Sequence, residues 1–250
     1  MKIVAFIPAR YSSSRFPGKP LALIAGRPMI HHTYDCTRAC PEVSEVFVAT
    51  DDPRIMDAVR SFGGKAVLTA EHHPSGTDRV ADAANRLGLR PEDVVVNVQG
   101  DQPVFQSALI SQMVAPVLAD SALGMSTLKI RLSDDRETFD PNCVKVVTDG
   151  DGYALFFSRS VIPFYRDPGS PRAYYKHLGF YCYRMEFLTR FAGLPVGELE
   201  SAEKLEMLRA MEYGYRIKVV ETTYDSIEVD TPSDLKRLER TFFPPKDLGA

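Results

Sequence analysis

The sequence has little cysteine, no long apolar run and no large excess of either charge. Its four cysteines are Cys36, Cys40, Cys143 and Cys182, and none belongs to a C-x-x-C. That leaves no zinc site and points to reduced, buried thiols in a cytosolic protein. No apolar stretch approaches the roughly 18 residues of a transmembrane helix, so no membrane insertion is expected. The opening apolar run, Ile3 to Ile7, is short and is ended by Pro8 and Arg10. It does not fit a signal peptide, and a cytoplasmic location is expected. The net charge of −3 gives no global case for nucleic acid or a membrane surface. Two common phosphate signatures are also missing. There is no G-x-G-x-x-G, and Gly18-Lys19 runs into Pro20 with Ser13 five positions before Gly18, so this is not a Walker A loop. What remains is a chain of 250 residues, 44% hydrophobic and 25% charged. That is enough for one large domain, or one domain carrying an inserted lobe.

The first half alternates short apolar runs with helical patterns. The strands expected are Lys2–Ile7, Glu45–Thr50, Lys65–Thr69 and Val94–Val98, with helices at Met29–Cys40, Arg54–Phe62 and Thr77–Leu87. Strands apolar on both faces, alternating with helices, predict an α/β fold on a mostly parallel sheet. Ligands bind such sheets at the carboxyl ends of the strands, so the loops after Ile7, Thr50, Thr69 and Val98 should face one site. From about Gly124 the pattern changes to strands at Met125–Ile130, Cys143–Thr148, Tyr153–Phe157 and Leu178–Tyr183, with one clear helix at Ser201–Tyr213. Residues 125–225 therefore read as an inserted antiparallel lobe, and 1–124 plus 226–250 as the core. A short strand at Ser226–Val229 and a helix at Pro232–Arg240 close the core. Thr231 suits that helix's cap, with Pro232 at its first position and Asp234 three after the cap. The tail Phe242–Ala250 is expected to be poorly ordered.

Three loops on the carboxyl edge carry chemistry. Arg10, Arg15 and Lys19 lie on a Ser/Gly/Pro-rich loop straight after the first strand, which offers backbone N–H groups and positive charge to a polyphosphate. In Asn97-Val98-Gln99-Gly100-Asp101, Gly100 permits a sharp turn that throws Asp101 outward. A lone Asp there can cap a turn. Beside a phosphate loop it suits Mg²⁺, which takes one or two carboxylates plus phosphate oxygens and waters. Asp230 is the best second carboxylate, and it equally suits the dipole of the last helix. In the third loop, Ser75-Gly76-Thr77 allows close backbone approach by a nucleobase or ribose. Arg79 can reach a phosphate or stand on the helix surface. The adjacent His72 and His73 should point apart and lack a partner at metal spacing. In the lobe, Arg159, His177, Tyr181 and Glu206 offer charge and hydrogen bonds that suit an acidic, polyhydroxylated sugar, while Tyr181, alternating with Tyr183 in a strand, equally suits packing.

Several segments, taken in order, resemble the 3-deoxy-manno-octulosonate cytidylyltransferases. They are Ile7-Pro8-Ala9-Arg10 through Lys19-Pro20-Leu21, Ala49-Thr50-Asp51, Ser75-Gly76-Thr77-Asp78-Arg79 and Asn97-Val98-Gln99-Gly100-Asp101. They continue with Val144-Lys145-Val146-Val147, Tyr153 through Arg159, Lys176-His177-Leu178-Gly179-Phe180-Tyr181 and Val229-Asp230-Thr231-Pro232. The resemblance implies a glycosyltransferase-A-like nucleotidyltransferase fold, with the lobe serving dimerisation and sugar binding. It implies a cytoplasmic homodimer that uses CTP, an acidic eight-carbon sugar and Mg²⁺ in lipopolysaccharide biosynthesis. Arg10 and Lys19 would act on the CTP phosphates, with Ser13 in the same loop. Ser75, Gly76, Arg79 and Gln99 would contact the nucleotide, and Asp101 and Asp230 would hold the metal. Arg159, His177, Tyr181 and Glu206 would face the sugar, and Arg15 would support the loop or stand as a solvated charge. Two positions depart from the family pattern. Gln102-Pro103 stands where Glu-Pro is frequent, and Met207 follows Glu206 where the family commonly has Gln. Both keep 8-amino-3,8-dideoxy-manno-octulosonate as an alternative sugar, with a sialic-acid-type cytidylyltransferase further off.

Overall fold

The structure is a computed structural model that describes residues 1–12, 15–167, 169 and 171–244. Ser13 and residues 245–250, with most of the tail expected to be poorly ordered, lie outside the described residues. The chain opens with β1 (Ile3–Ala9), the short hairpin strands β2 (Leu23–Ile24) and β3 (Arg27–Pro28), α1 (Met29–Arg38), β4 (Glu45–Thr50), α2 (Pro53–Ser61), β5 (Lys65–Leu68) and α3 (Gly76–Arg86). It continues through β6 (Val94–Asn97), α4 (Ala108–Ala119), β7 (Met125–Arg131), α5 (Asp135–Phe139), β8 (Lys145–Thr148), β9 (Ala154–Ser158) and β10 (Tyr175–Arg184). The last elements are α6 (Met185–Ala192), α7 (Glu198–Glu203), α8 (Met207–Glu212), β11 (Lys218–Thr222) and α9 (Pro232–Phe242). Among the described residues, no helix is long and apolar enough to cross a membrane.

Two compact units form. One contains Val4–Leu87, Asn97–Ser107 and the chain from Ser226. Its strands run β1-β4-β5, all parallel, with Ile7 opposite Val48 and Val48 opposite Ala66. Val4, Ala5, Phe6 and Ile7 are buried in succession, so β1 is covered on both faces, as its unbroken apolar run requires. The predicted α/β class with parallel core strands is therefore present. The closing helix is also as expected. Asp234 N–H donates to Thr231 Oγ1 at 3.3 Å, and Thr231 N–H donates to Asp234 Oδ2 at 2.9 Å. Ser226–Val229 forms no strand; Ile227 makes only an isolated bridge to Val104.

The other unit contains Met1–Ile3, Gly88–Val96 and Ala108–Asp225. Its strand order is β11-β7-β10-β6, with β8 on β10 and β9 on β8. β10 pairs antiparallel with β7 and β8, and β8 with β9, as expected of the lobe, while β11 joins β7 in parallel. The helix expected over Ser201–Tyr213 is two helices. Lys204 takes a left-handed conformation (φ 54°) and ends α7, and α8 starts after Glu206. The stripe Leu205, Leu208, Met211 gives no sign of this break. A buried ion pair spans it, with Arg209 Nε and Nη2 each 2.6 Å from Glu200 carboxylate oxygens. The Glu212 carboxylate also accepts from Leu199 N–H and Glu200 N–H, satisfying the first turn of α7.

Candidate active site

The first loop leaves β1 and folds back on itself. Gly18, at φ 71°, donates its N–H to Tyr11 O at 2.9 Å. The Arg54 guanidinium lies 3.4 Å from the centroid of the Tyr11 ring and braces the loop from α2. One turn of 3-10 helix, Lys19–Leu21, then carries Lys19 inward. Its ammonium stands 3.0 Å from Asp101 Oδ2 and 3.1 Å from Asp230 Oδ1. Arg15 grips Asp230 with both terminal nitrogens, at 2.9 and 3.0 Å. It is therefore neither loop support alone nor a free solvated charge. Burial alone would lower the Lys19 pKa, but Asp101 and Asp230 outweigh it and hold it above the ordinary lysine value.

Asp101 is placed by the turn after β6. Val98 N–H donates to Phe6 O at 2.9 Å, and the chain then passes so close to β1 that a Cβ on Gly100 would stand 2.8 Å from Pro8 O. Backbone cannot yield as a side-chain tip does. Gly100→Ala is expected to cost about 1–3 kcal/mol, read as a lowered urea midpoint with an unchanged m-value. Asp230 is brought alongside by two backbone bonds, Val229 N–H to Asp101 O at 2.9 Å and Ile227 N–H to Val104 O at 3.3 Å.

A carboxylate that sequence reasoning passed over joins them. One oxygen from each of Asp101, Glu228 and Asp230 lies within 4.8 Å of the others. Dehydration raises the Glu228 pKa, and the charges of Asp101 and Asp230 raise it further while Lys19 opposes. The residue keeps solvent-facing surface, so the like charges are the cause on which that direction rests. A signal was present in the sequence. Glu228 and Asp230 are two apart in an extended segment, which puts them on one side. The donor set is three hard carboxylate oxygens without thiolate or imidazole, and it fits magnesium.

The third loop serves partly as scaffold. Ser75 Oγ caps α3, accepting from Asp78 N–H at 3.2 Å and donating to Asp78 Oδ2 at 2.8 Å. Asn97 Nδ2 ties Thr77 Oγ1 to the end of β6 at 3.1 Å. Arg79 is only 5% exposed. Its Nη1 donates to Thr69 Oγ1 at 2.6 Å and pairs with Asp51 at 3.3 Å, so one arm of its guanidinium is committed to the scaffold. His73 pairs with Asp82 at 3.1 Å while the His72 side chain is 93% exposed. The two imidazoles thus diverge as expected. Arg10, Lys19, Ser75, Gly76, Arg79, Gln99, Asp101 and Asp230 all line one cavity of about 270 Å³, together with Arg15 and Glu228. A larger cavity of about 490 Å³ in the other unit is lined by none of the candidate site residues, though Tyr153 of the family segments borders it. Two of its arginines, Arg190 and Arg216, are paired with Glu186 and Asp149.

The four proposed sugar residues all lie in the unit built on β7–β11. A bulge between Leu178 and Tyr181 re-aims the strand. It brings the His177 and Tyr181 rings to 5.5 Å between centroids. His177 Nε2 is 2.9 Å from Thr127 Oγ1. Burial raises the Tyr181 pKa, and the Glu206 charge adds to it. Arg159 donates its N–H to Glu203 Oε2 at 2.9 Å and its Nε–H to Glu203 O at 2.7 Å. Burial pushes the His177 pKa down to about 3. The fold therefore favours neutral imidazole, and this contribution is complete above the unfolded value near 6.5 and lost as pH falls toward 3. Between pH 7 and pH 5 the wild type should lose about 2 kcal/mol more unfolding free energy than His177→Gln, measured by urea denaturation at both pH values.

Comparison with known proteins gives concordant matches. The family model described as cytidylyltransferase matches residues 4–218. A 3-deoxy-manno-octulosonate cytidylyltransferase of Syntrophus aciditrophicus (strain SB) is 54% identical over 95% of this chain and 96% of its own. An 8-amino-3,8-dideoxy-manno-octulosonate cytidylyltransferase of Shewanella amazonensis (strain ATCC BAA-1098 / SB2B) is 52% identical over 96% of this chain and 98% of its own. Among solved structures, a CMP:2-keto-3-deoxy-manno-octonic acid synthetase complexed with CTP superposes with a TM-score of 0.90 at 41% identity, covering 96% of this chain and 97% of that one. The nucleotidyltransferase type expected from the sequence is thereby the fold found. Similarity of this extent, in sequence and in fold together, means that the chain belongs to the cytidylyltransferase family, among the 3-deoxy-manno-octulosonate cytidylyltransferases.

Proposed function

We propose that this chain transfers the cytidylyl group of CTP to 3-deoxy-manno-octulosonate (Kdo), releasing pyrophosphate and forming CMP-Kdo. The observation that carries the reading is the single cavity in which Arg10 and Lys19 stand with Asp101 and Asp230. Cations for a polyphosphate and hard oxygen ligands for its metal are both present there. Arg10 and Lys19 bind the CTP phosphates and stabilise the charge that grows on the departing pyrophosphate. Ser75, Gly76, Arg79 and Gln99 contact the nucleotide, with Ser75 and Arg79 also holding that wall in shape. Ser13 belongs to the same loop. Asp101 and Asp230 hold magnesium, which when bound supplies Lewis-acid stabilisation of charge on oxygen. Arg159, His177, Tyr181 and Glu206 bind and orient the sugar acid. The C2 hydroxyl of the sugar attacks the α-phosphorus in line. The new C2–O–P bond forms as the bond to pyrophosphate breaks, and the hydroxyl proton is released.

The same reading extends to a cytoplasmic role in lipopolysaccharide biosynthesis and to a homodimer formed through the 125–225 lobe. The dimer is supported by Leu155, 59% exposed on β9, and by Phe164, 87% exposed. A second sugar, the 8-amino analogue, is favoured by Gln102 and Met207 and by the Shewanella relative. Met207 is buried at 3% exposure and offers no amide to a hydroxyl. Pyrophosphate release from CTP, measured with Kdo, its 8-amino analogue and sialic acid, tests the assignment. Kdo-dependent release is expected, and release with none of the octulosonates would refute it.

A further inference from the structure

We propose that Glu228 is a third carboxylate for the divalent cation that Asp101 and Asp230 hold. The inference rests on the reading of this cavity as the magnesium–nucleotide site. Geometry carries it. The segment Glu228-Val229-Asp230 is pinned in register by Val229 N–H on Asp101 O at 2.9 Å, and the Val229 side chain is fully buried. In extended chain the residues on either side of an inward Val face the other way. Both do so here, since Glu228 and Asp230 line the cavity and each brings an oxygen within 4.8 Å of Asp101.

Charge explains why three carboxylates are tolerated. Like charges at this spacing repel, and the repulsion grows where water is displaced. Lys19 pairs with Asp101 and Asp230, and Arg15 pairs with Asp230. Two cations thus answer three carboxyl groups. An arriving triphosphate competes for those same cations, because guanidinium and ammonium bind phosphate oxygens at least as well as carboxylate. The acidic trio then needs another counter-charge, and a hard divalent ion with oxygen ligands supplies it. The third carboxylate makes the ion more tightly held than two would, because affinity follows the charge count of the ligands.

Mn²⁺ titration of the full chain, followed by electron paramagnetic resonance with and without CTP, tests this. Glu228→Gln is expected to weaken Mn²⁺ binding about 10-fold or more, with Glu228→Asp recovering part of the loss and far-UV circular dichroism unchanged. If Asp101→Asn loses Mn²⁺ but Glu228→Gln binds it as the wild type does, Glu228 is no ligand and the cavity's assignment stands. If Asp101→Asn also binds Mn²⁺ normally, the metal reading of the cavity fails and this inference fails with it.

Discussion

Asp101→Asn should lower kcat for CMP-Kdo formation about 1,000-fold, several kcal/mol of transition-state stabilisation. The substitution keeps the side-chain volume and removes one anionic oxygen ligand at the turn after β6. Its effect on folding should be small for a physical reason. Asp101 is crowded by Asp230 and Glu228, so losing its charge relieves repulsion, while Lys19 keeps Asp230 at 3.1 Å. The lost Lys19–Asp101 pair is only partly buried, and water screens it. A Tm within about 2 °C of wild type, with turnover almost abolished at saturating magnesium, is the expected pairing of results. Full magnesium-dependent turnover in this variant would remove Asp101 from the site.

Lys19→Gln should cost about 100- to 1,000-fold in kcat, the usual range for losing a preorganised group that stabilises developing charge. Its signature differs from that of Asp101→Asn in two ways. Stability should fall, because three carboxylates within 4.8 Å lose the cation that bridges two of them. Magnesium should also bind the nucleotide-free variant more tightly, since a competing cation has left the trio. Steady-state kinetics, a thermal melt and Mn²⁺ titration on one preparation read all three. A variant with wild-type kcat and weaker metal binding would show that Lys19 only organises the acids.

Much of the nucleotide-side chemistry was legible because it sits at strand ends. A buried run such as Ile3–Ile7 followed by local cations, or Val94–Val98 followed by Gly-Asp, marks an edge where ligand groups gather. The capping box at Thr231 and Asp234 was legible for the same local reason. Features held by tertiary contacts were not. α4 has buried Leu109, Ile110, Met113, Val114 and Val117, carries Pro116, and presents no narrow stripe to read. The break at Lys204 is sustained by Glu200 and Arg209, nine positions apart, so periodicity ran through it. Arg15 looked optional because its partner, Asp230, is 215 positions away. Ser75 and Arg79 were read as ligand contacts; the fold shows each also committed to structure, as a helix cap and as a partner of Asp51 and Thr69. Glu228 was missed although its spacing from Asp230 pointed to it.

One measurement goes to the centre of the account. In a ³¹P nuclear magnetic resonance time course with CTP, Kdo and magnesium, the three CTP resonances should give way to equal amounts of a phosphodiester and pyrophosphate. The conversion should require the sugar and be lost in Asp101→Asn. Appearance of CMP with pyrophosphate or of CDP with inorganic phosphate, or conversion that ignores the sugar, would show that the cavity hydrolyses nucleotide and does not transfer it.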